Sequence, residues 1–261
     1  MADPEKIRAL HSGTPHSAPL PDPTYWTHGV TYPMDKQADL DALYIQAGKW
    51  SDRVARITDG ALEVRTPVPD TARLPETDIA DHGHAYFWFP DFVEGDVRLD
   101  YDFQILEPGG LSLIMVQAAG IHGERFLEDY PRRTSGAMRM VAWEDVRNYH
   151  LEYYREMDDV RNDLATFALV KNPWLRPLGY ATRTWQWQMN RWYHLCFAQQ
   201  EGSLRLFIDD DLVIDARDDA FNNNGPLLQR GYVALRCMFR TAMRFKDVSI
   251  RWRPLLSELR L

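Results

Sequence analysis

From Trp192 to Trp252 the chain reads as a succession of short strands, and this run constrains the fold more than any other feature. Trp192 to Phe197 alternates apolar and polar residues, and Gln199-Gln200-Glu201-Gly202-Ser203 turns. Leu204, Leu206 and Ile208 alternate next, Asp209-Asp210-Asp211 turns again, and Leu212-Val213-Ile214 follows. Gly231 opens Tyr232 to Arg236, and Phe245 to Ile250 closes the run. Period-two alternation broken by Gly, Asp and Asn turns about every eight to twelve residues marks an all-β sandwich. The chain has 261 residues. Sandwiches of roughly 200–250 residues are ordinary, and a chain of this size buries a core without disulfide or metal staples.

Upstream the same reading holds. Six prolines (4, 15, 19, 21, 23 and 33) make residues 1–35 an extended arm. Residues 36–49 are expected to hold a short helix capped by Asp35, followed by strands at 52–57 and 61–66. His84 to Phe89 is an aromatic strand ended by Pro90. Between Gly95 and Leu106, Val97, Leu99, Tyr101 and Phe103 face one way, and Arg98, Asp100, Asp102 and Gln104 the other. Leu111 to Gln117 is nearly all apolar and predicts a central strand covered on both faces. Residues 148–155 and 165–171 are two more strands. The expected architecture is an all-β, concanavalin A-like jelly-roll β-sandwich of two antiparallel sheets over residues 50–253. The proline-rich arm (1–49) precedes it and a tail (254–261) follows.

Thirty basic against 38 acidic residues give a net charge of −8, which argues against a nucleic-acid or anionic-membrane partner. Aromatics make up 12% of the chain, enough to supply recognition surface as well as core. Cys196 and Cys237 sit in predicted strands and read as buried free thiols. No apolar leader or spanning segment is visible, so a cytoplasmic protein is expected. No phosphate-binding glycine loop, metal-ligand run or Gly-x-Ser-x-Gly elbow occurs, and neither a cofactor nor a metal is expected. Asp209-Asp210-Asp211 has the composition of a calcium loop, but its place between two short strands makes it a hairpin turn.

The densest polar cluster lies between Gln117 and Lys171. Gly120-Ile121-His122-Gly123-Glu124-Arg125 is a glycine-flanked loop carrying a His and a Glu, and Arg133, Trp143 and Asp145 follow. On the next strand Tyr149, Leu151 and Tyr153 point to the core, so His150, Glu152 and Tyr154 share the opposite face. His and Tyr can exchange protons with a sugar ring, while Arg133 or Lys171 neutralises a carboxylate or a developing oxyanion. The expected catalytic set is therefore His150, Tyr154, Glu152 and Arg133. Gln117, His122, Glu124, Trp143, Lys171 and Trp174 are expected to bind substrate. An ordinary solvated strand face is the competing reading of the His150 row. Trp174, Tyr180, Trp185 and Trp187 cluster in a loop-like region and offer stacking faces for a saccharide, or simply packing.

Several short motifs occur in order: Phe87-Trp88-Phe89-Pro90, Leu106-Glu107-Pro108-Gly109-Gly110, and Ala118-Ala119-Gly120-Ile121-His122-Gly123-Glu124. Asp145 with His150-Leu151-Glu152-Tyr153-Tyr154-Arg155, Leu169-Val170-Lys171-Asn172, and Gly225-Pro226 continue the pattern. In this order, over roughly residues 50–252, they resemble the YesU-like family of bacterial proteins. The resemblance implies the fold of the concanavalin A-like lectins and glucanases and a carbohydrate ligand, members tending to sit among genes for pectin breakdown. It supplies no catalytic residues. The Glu-x-Asp-x-x-Glu run of laminarinase-type glucanases is missing, since Glu144-Asp145 and Glu152 have the wrong spacing for a two-carboxylate retaining hydrolase of that type.

The function expected is a carbohydrate-active enzyme cleaving oligosaccharides from plant polysaccharide such as pectin, by elimination or hydrolysis, with a uronate-containing oligosaccharide as one partner. The alternative is a non-catalytic, lectin-like sugar binder or sensor, and a third reading is a structural protein that binds no sugar.

Overall fold

Two antiparallel sheets face one another across a single apolar core in the computed structural model, which describes residues 19–67, 83–136, 145–156, 165–183, 187–220 and 225–255. Strands are numbered along the chain. The first sheet runs β14 (Asp211–Arg217), β13 (Ser203–Ile208), β12 (Trp192–Gln200), β7 (Asp96–Ile105), β16 (Ala242–Arg253), β4 (Ala61–Arg65) and β3 (Ala55–Thr58), with β1 (His28–Tyr32) also paired to β16. The second runs β11 (Arg176–Arg183), β10 (Ala165–Asn172), β9 (Val146–Glu156), β8 (Gly110–Gly120), β15 (Arg230–Met238), β5 (His84–Trp88) and β2 (Tyr44–Gln46). A short β6 (Val93–Glu94) pairs with β15.

The pattern that predicts the strands also assigns their faces. On β7 Val97, Leu99, Tyr101, Phe103 and Ile105 enter the core. The opposite face holds an ion-pair network: Arg98 clamps Asp100 at 2.7 Å, and His194 meets Asp102 at 2.9 Å. Every residue of β8 is buried, as an apolar run covered on both sides requires. Asp209 and Asp210 both take positive φ in a hairpin turn, 49° and 67°. Cys196 and Cys237 are buried and unpaired, one in each sheet.

Three expectations change. The helix over 36–49 is a single turn, Gln37–Asp41, whose N-cap is Lys36 without a side-chain cap bond. Tyr44–Gln46 then leaves the helix for the edge of the second sheet, because pairing with Trp88, Phe87 and Tyr86 satisfies its backbone. With β1 paired along β16 as well, the sandwich begins well before residue 50. Of the aromatic cluster expected in a loop, Tyr180 lies in edge strand β11, Arg176–Arg183, paired to β10, while Trp174 sits in the turn before it.

Candidate active site on the outer face of the second sheet

Antiparallel pairing puts directly opposed residues on one face of a sheet, so the register alone defines rows of neighbouring side chains. One row on the outer face reads Tyr86, Arg236, Leu113, Glu152, Ala168, Tyr180. The next reads Trp88, Ala234, Met115, His150, Val170, Pro177. The inward partners of these strands, Phe87, Leu235, Ile114, Leu151 and Leu169, are all in the core.

Arg236 is the centre of this face. Its guanidinium is fully buried, lies 4.8 Å from the Tyr86 ring centroid, and donates from Nη2 to His84 Nδ1 at 3.3 Å. Tyr86 in turn stacks parallel to Trp88, with centroids 5.9 Å apart. Arg236 Nε and Nη1, His84 Nε2, the Tyr86 hydroxyl and His150 Nδ1 are buried without a hydrogen-bond partner among the described residues. Buried polar atoms are nearly always bonded, so several orphans gathered around one cation require an explanation. The Glu152 carboxylate on the same row is held by Arg155 at 3.1 Å.

The segment 126–136 lies against one end of this face. Phe126 packs edge-on against Trp88, the Tyr44 hydroxyl donates to the Arg133 carbonyl, and Gly48 N donates to Thr134 O at 2.7 Å. Gly136 rests on the His84 backbone, where a Cβ would stand 2.4 Å from the carbonyl oxygen. At the other end the rows open to solvent, Tyr180 being 65% exposed.

Electrostatics follow from this burial. Desolvation, and then the Arg236 charge, hold His84 and His150 neutral with pKa values of about 3. Burial raises the Glu152 carboxyl above its usual range, with Arg155 opposing. On the far sheet hydrogen bonding to Asp100, against some desolvation, lifts His194 to about 9. Stability should respond on both sides of neutrality. Below pH about 6.5 an unfolded histidine takes up a proton that folded His84 and His150 refuse. Their stabilisation is therefore full above that pH and falls by about 1.4 kcal/mol per pH unit for each histidine down to pH about 3. His194 has the opposite sign: its contribution is full below about 6.5 and is lost as pH rises through about 9. Urea unfolding across pH should show both limbs, with His194→Gln flattening only the alkaline one. An acid limb unchanged in His150→Gln would contradict the burial of that ring.

Of the residues expected from sequence, the structure brings together His150 and Glu152. Tyr154 leaves them, because the β8–β9 register shifts between Ser112 and Leu113, and the bulge turns Tyr153 and Tyr154 both toward the core. The Tyr154 hydroxyl donates to Glu156 at 2.7 Å, and its ring packs edge-on to Trp187. Arg133 sits in the covering segment with its guanidinium on Asp145 (Nη1–Oδ1 2.9 Å). Gln117 is buried at a second bulge and donates to Gly95 O at 2.6 Å and Gln199 Oε1 at 3.1 Å, tying the sheets together. Lys171 is fully buried against Asp218 at 2.6 Å, so it serves the core and not a sugar acid. Glu124 folds back to accept from His122 N at 2.9 Å, which makes this pair a closed turn with the His122 ring outside. Trp174 stands 60% exposed at the β10–β11 hairpin, while Trp187 packs with Phe103 and Tyr193. Trp143 and Trp185 lie outside the described residues.

Arg236, His84 and Tyr86 escaped the sequence reading. The available signal was an arginine in a strand whose Val233, Leu235 and Cys237 already filled the core side.

The family model described as a domain of unknown function, DUF1961, matches residues 36–250, and the chain belongs to that family. YesU of Bacillus subtilis strain 168 is 23% identical over 183 residues, 69% of this chain and 83% of YesU. A Bacillus subtilis protein described as having a galectin-like fold superposes with a TM-score of 0.72 at 19% identity, covering 85% of this chain and 94% of that one. A Bacillus licheniformis beta-glucanase superposes with a TM-score of 0.51 at 9% identity, covering 86% and 98%. The YesU-like resemblance and the lectin/glucanase type of sandwich read from the sequence both hold.

Proposed function

We propose that this DUF1961 protein is a carbohydrate-active enzyme that cleaves oligosaccharides derived from plant polysaccharide such as pectin, by elimination or hydrolysis, on the outer face of its second sheet. The observation that carries the reading is the gathering there of buried polar atoms without partners beside His150 and Glu152. Sharing its sandwich with a beta-glucanase supports a sugar ligand for this chain. The unengaged Nδ1 of neutral His150 can hydrogen-bond a sugar hydroxyl, and Glu152, whose carboxyl holds its proton more tightly than usual, can deliver one to a leaving oxygen. The two rows carry a single carboxylate, Glu152, which disfavours a two-carboxylate hydrolysis.

Incubation of the full chain with pectin-derived oligosaccharides should produce new chain ends. The absorbance of an unsaturated product would mark elimination, and its absence beside new ends would mark hydrolysis. Glu152→Gln should lower the rate by roughly 10²–10⁴-fold, and His150→Ala should weaken substrate binding. No new chain ends on a broad panel of plant glycans would sink the enzymatic reading. Binding that persists without turnover would instead support a lectin-like sensor, the reading favoured by exposed Tyr180 and Trp174 at the open end.

A further inference from the structure

Arg236 presents an accounting problem in hydrogen-bond donors. A guanidinium has five N–H donors and no acceptor. The one on Nε and the two on Nη1 are unused, in a side chain with no exposed surface. His84 Nδ1 accepts from Arg236 Nη2, which puts the proton of the neutral ring on Nε2, where the Gly136 backbone is its neighbour. The buried Tyr86 hydroxyl is also unpartnered and can donate. The carboxylate on this row, Glu152, is two strands away and already engaged by Arg155. A group of acceptors only, flat and negatively charged, is the complement of this set, and a carboxylate supplies it.

We propose that Arg236, with His84 and Tyr86, anchors the carboxylate of a uronate residue, so that the ligand of this protein is an acidic sugar. This rests on the carbohydrate reading above and names its substrate class.

The test titrates the full chain by calorimetry with trigalacturonate, with its carboxyl-reduced neutral counterpart, and with inorganic sulfate. The acid should bind roughly ten- to a hundredfold more tightly than the neutral sugar, the range of a charge-assisted hydrogen bond. Arg236→Met should erase that difference, and Tyr86→Phe, which keeps the ring and its packing, should reduce it. Equal affinity for acid and neutral sugar in the parent protein overturns the proposal while leaving the carbohydrate reading in place. A preference that survives both substitutions, in proteins that melt cooperatively, overturns it too. Sulfate bound as tightly as the sugar acid, and released by Arg236→Met, would assign the site to a free oxyanion instead. Failure of every sugar to bind removes this proposal and the reading beneath it together.

Discussion

Asp218→Ala is expected to destabilise the protein by about 3–5 kcal/mol, the cost of breaking a buried ion pair on one side. Asp218 and Lys171 have no exposed side-chain surface and meet at 2.6 Å. The same carboxylate accepts from the Tyr149 hydroxyl at 2.7 Å and from Ala220 N at 3.0 Å. Burial already lowers the Lys171 pKa against the pull of Asp218, so without the carboxylate the ammonium would shed its proton or draw in water. Its remaining bond, to Gly225 O at 2.9 Å, does not neutralise it. The double substitution Lys171→Met with Asp218→Ala should recover a large part of the loss, since removing both charges leaves only the unfilled bonds. Urea unfolding of the two single variants and the double variant closes the cycle. A loss below about 1 kcal/mol for Asp218→Ala would place the pair in solvent-like surroundings.

Arg236→Met is expected to act in the opposite direction and stabilise the ligand-free protein, by about 1–4 kcal/mol. The side chain is as buried as Lys171, but among the described residues it has no carboxylate against it. Its contacts are the Tyr86 ring and His84 Nδ1, and its charge helps to keep His84 and His150 unprotonated. Methionine fills similar length without a charge to desolvate, and both histidines should then titrate nearer their ordinary values. A binding side chain held at the expense of stability is a familiar trade in active sites. Thermal unfolding without ligand measures the effect. A fall in melting temperature would make the guanidinium a structural element of the sheet.

These two arginine and lysine positions show how far a sequence can be read. Both are basic residues inside apolar strands, Leu169-Val170-Lys171 and Leu235-Arg236-Cys237. Period-two alternation assigns Lys171 to the core side and Arg236 to the outer side once the strand is recognised. Whether a buried charge has a partner depends on residues from other strands, and here Asp218 reaches one while no carboxylate among the described residues meets the other. The same limit explains the remaining outcomes. His150 and Glu152 are two residues apart on one uninterrupted stretch, so their common face was legible. Tyr154 lies beyond a bulge set by the register against Ser112, and one extra residue reverses a face. Gln117, with φ of 54°, marks the other irregularity of that pairing and turns inward to Gly95 and Gln199.

The sequence by itself determined the β-sandwich, the positions of its long strands along the chain and the common face of His150 and Glu152. Alternation, turn residues and apolar runs are local properties, written in consecutive residues. Only the tertiary structure decided which strands became neighbours, and therefore that Tyr86 and His84, far upstream, flank Arg236 on the face shared with His150 and Glu152. Strand order and register are long-range choices, made by the packing of whole faces against the core, and no stretch of the chain carries them alone.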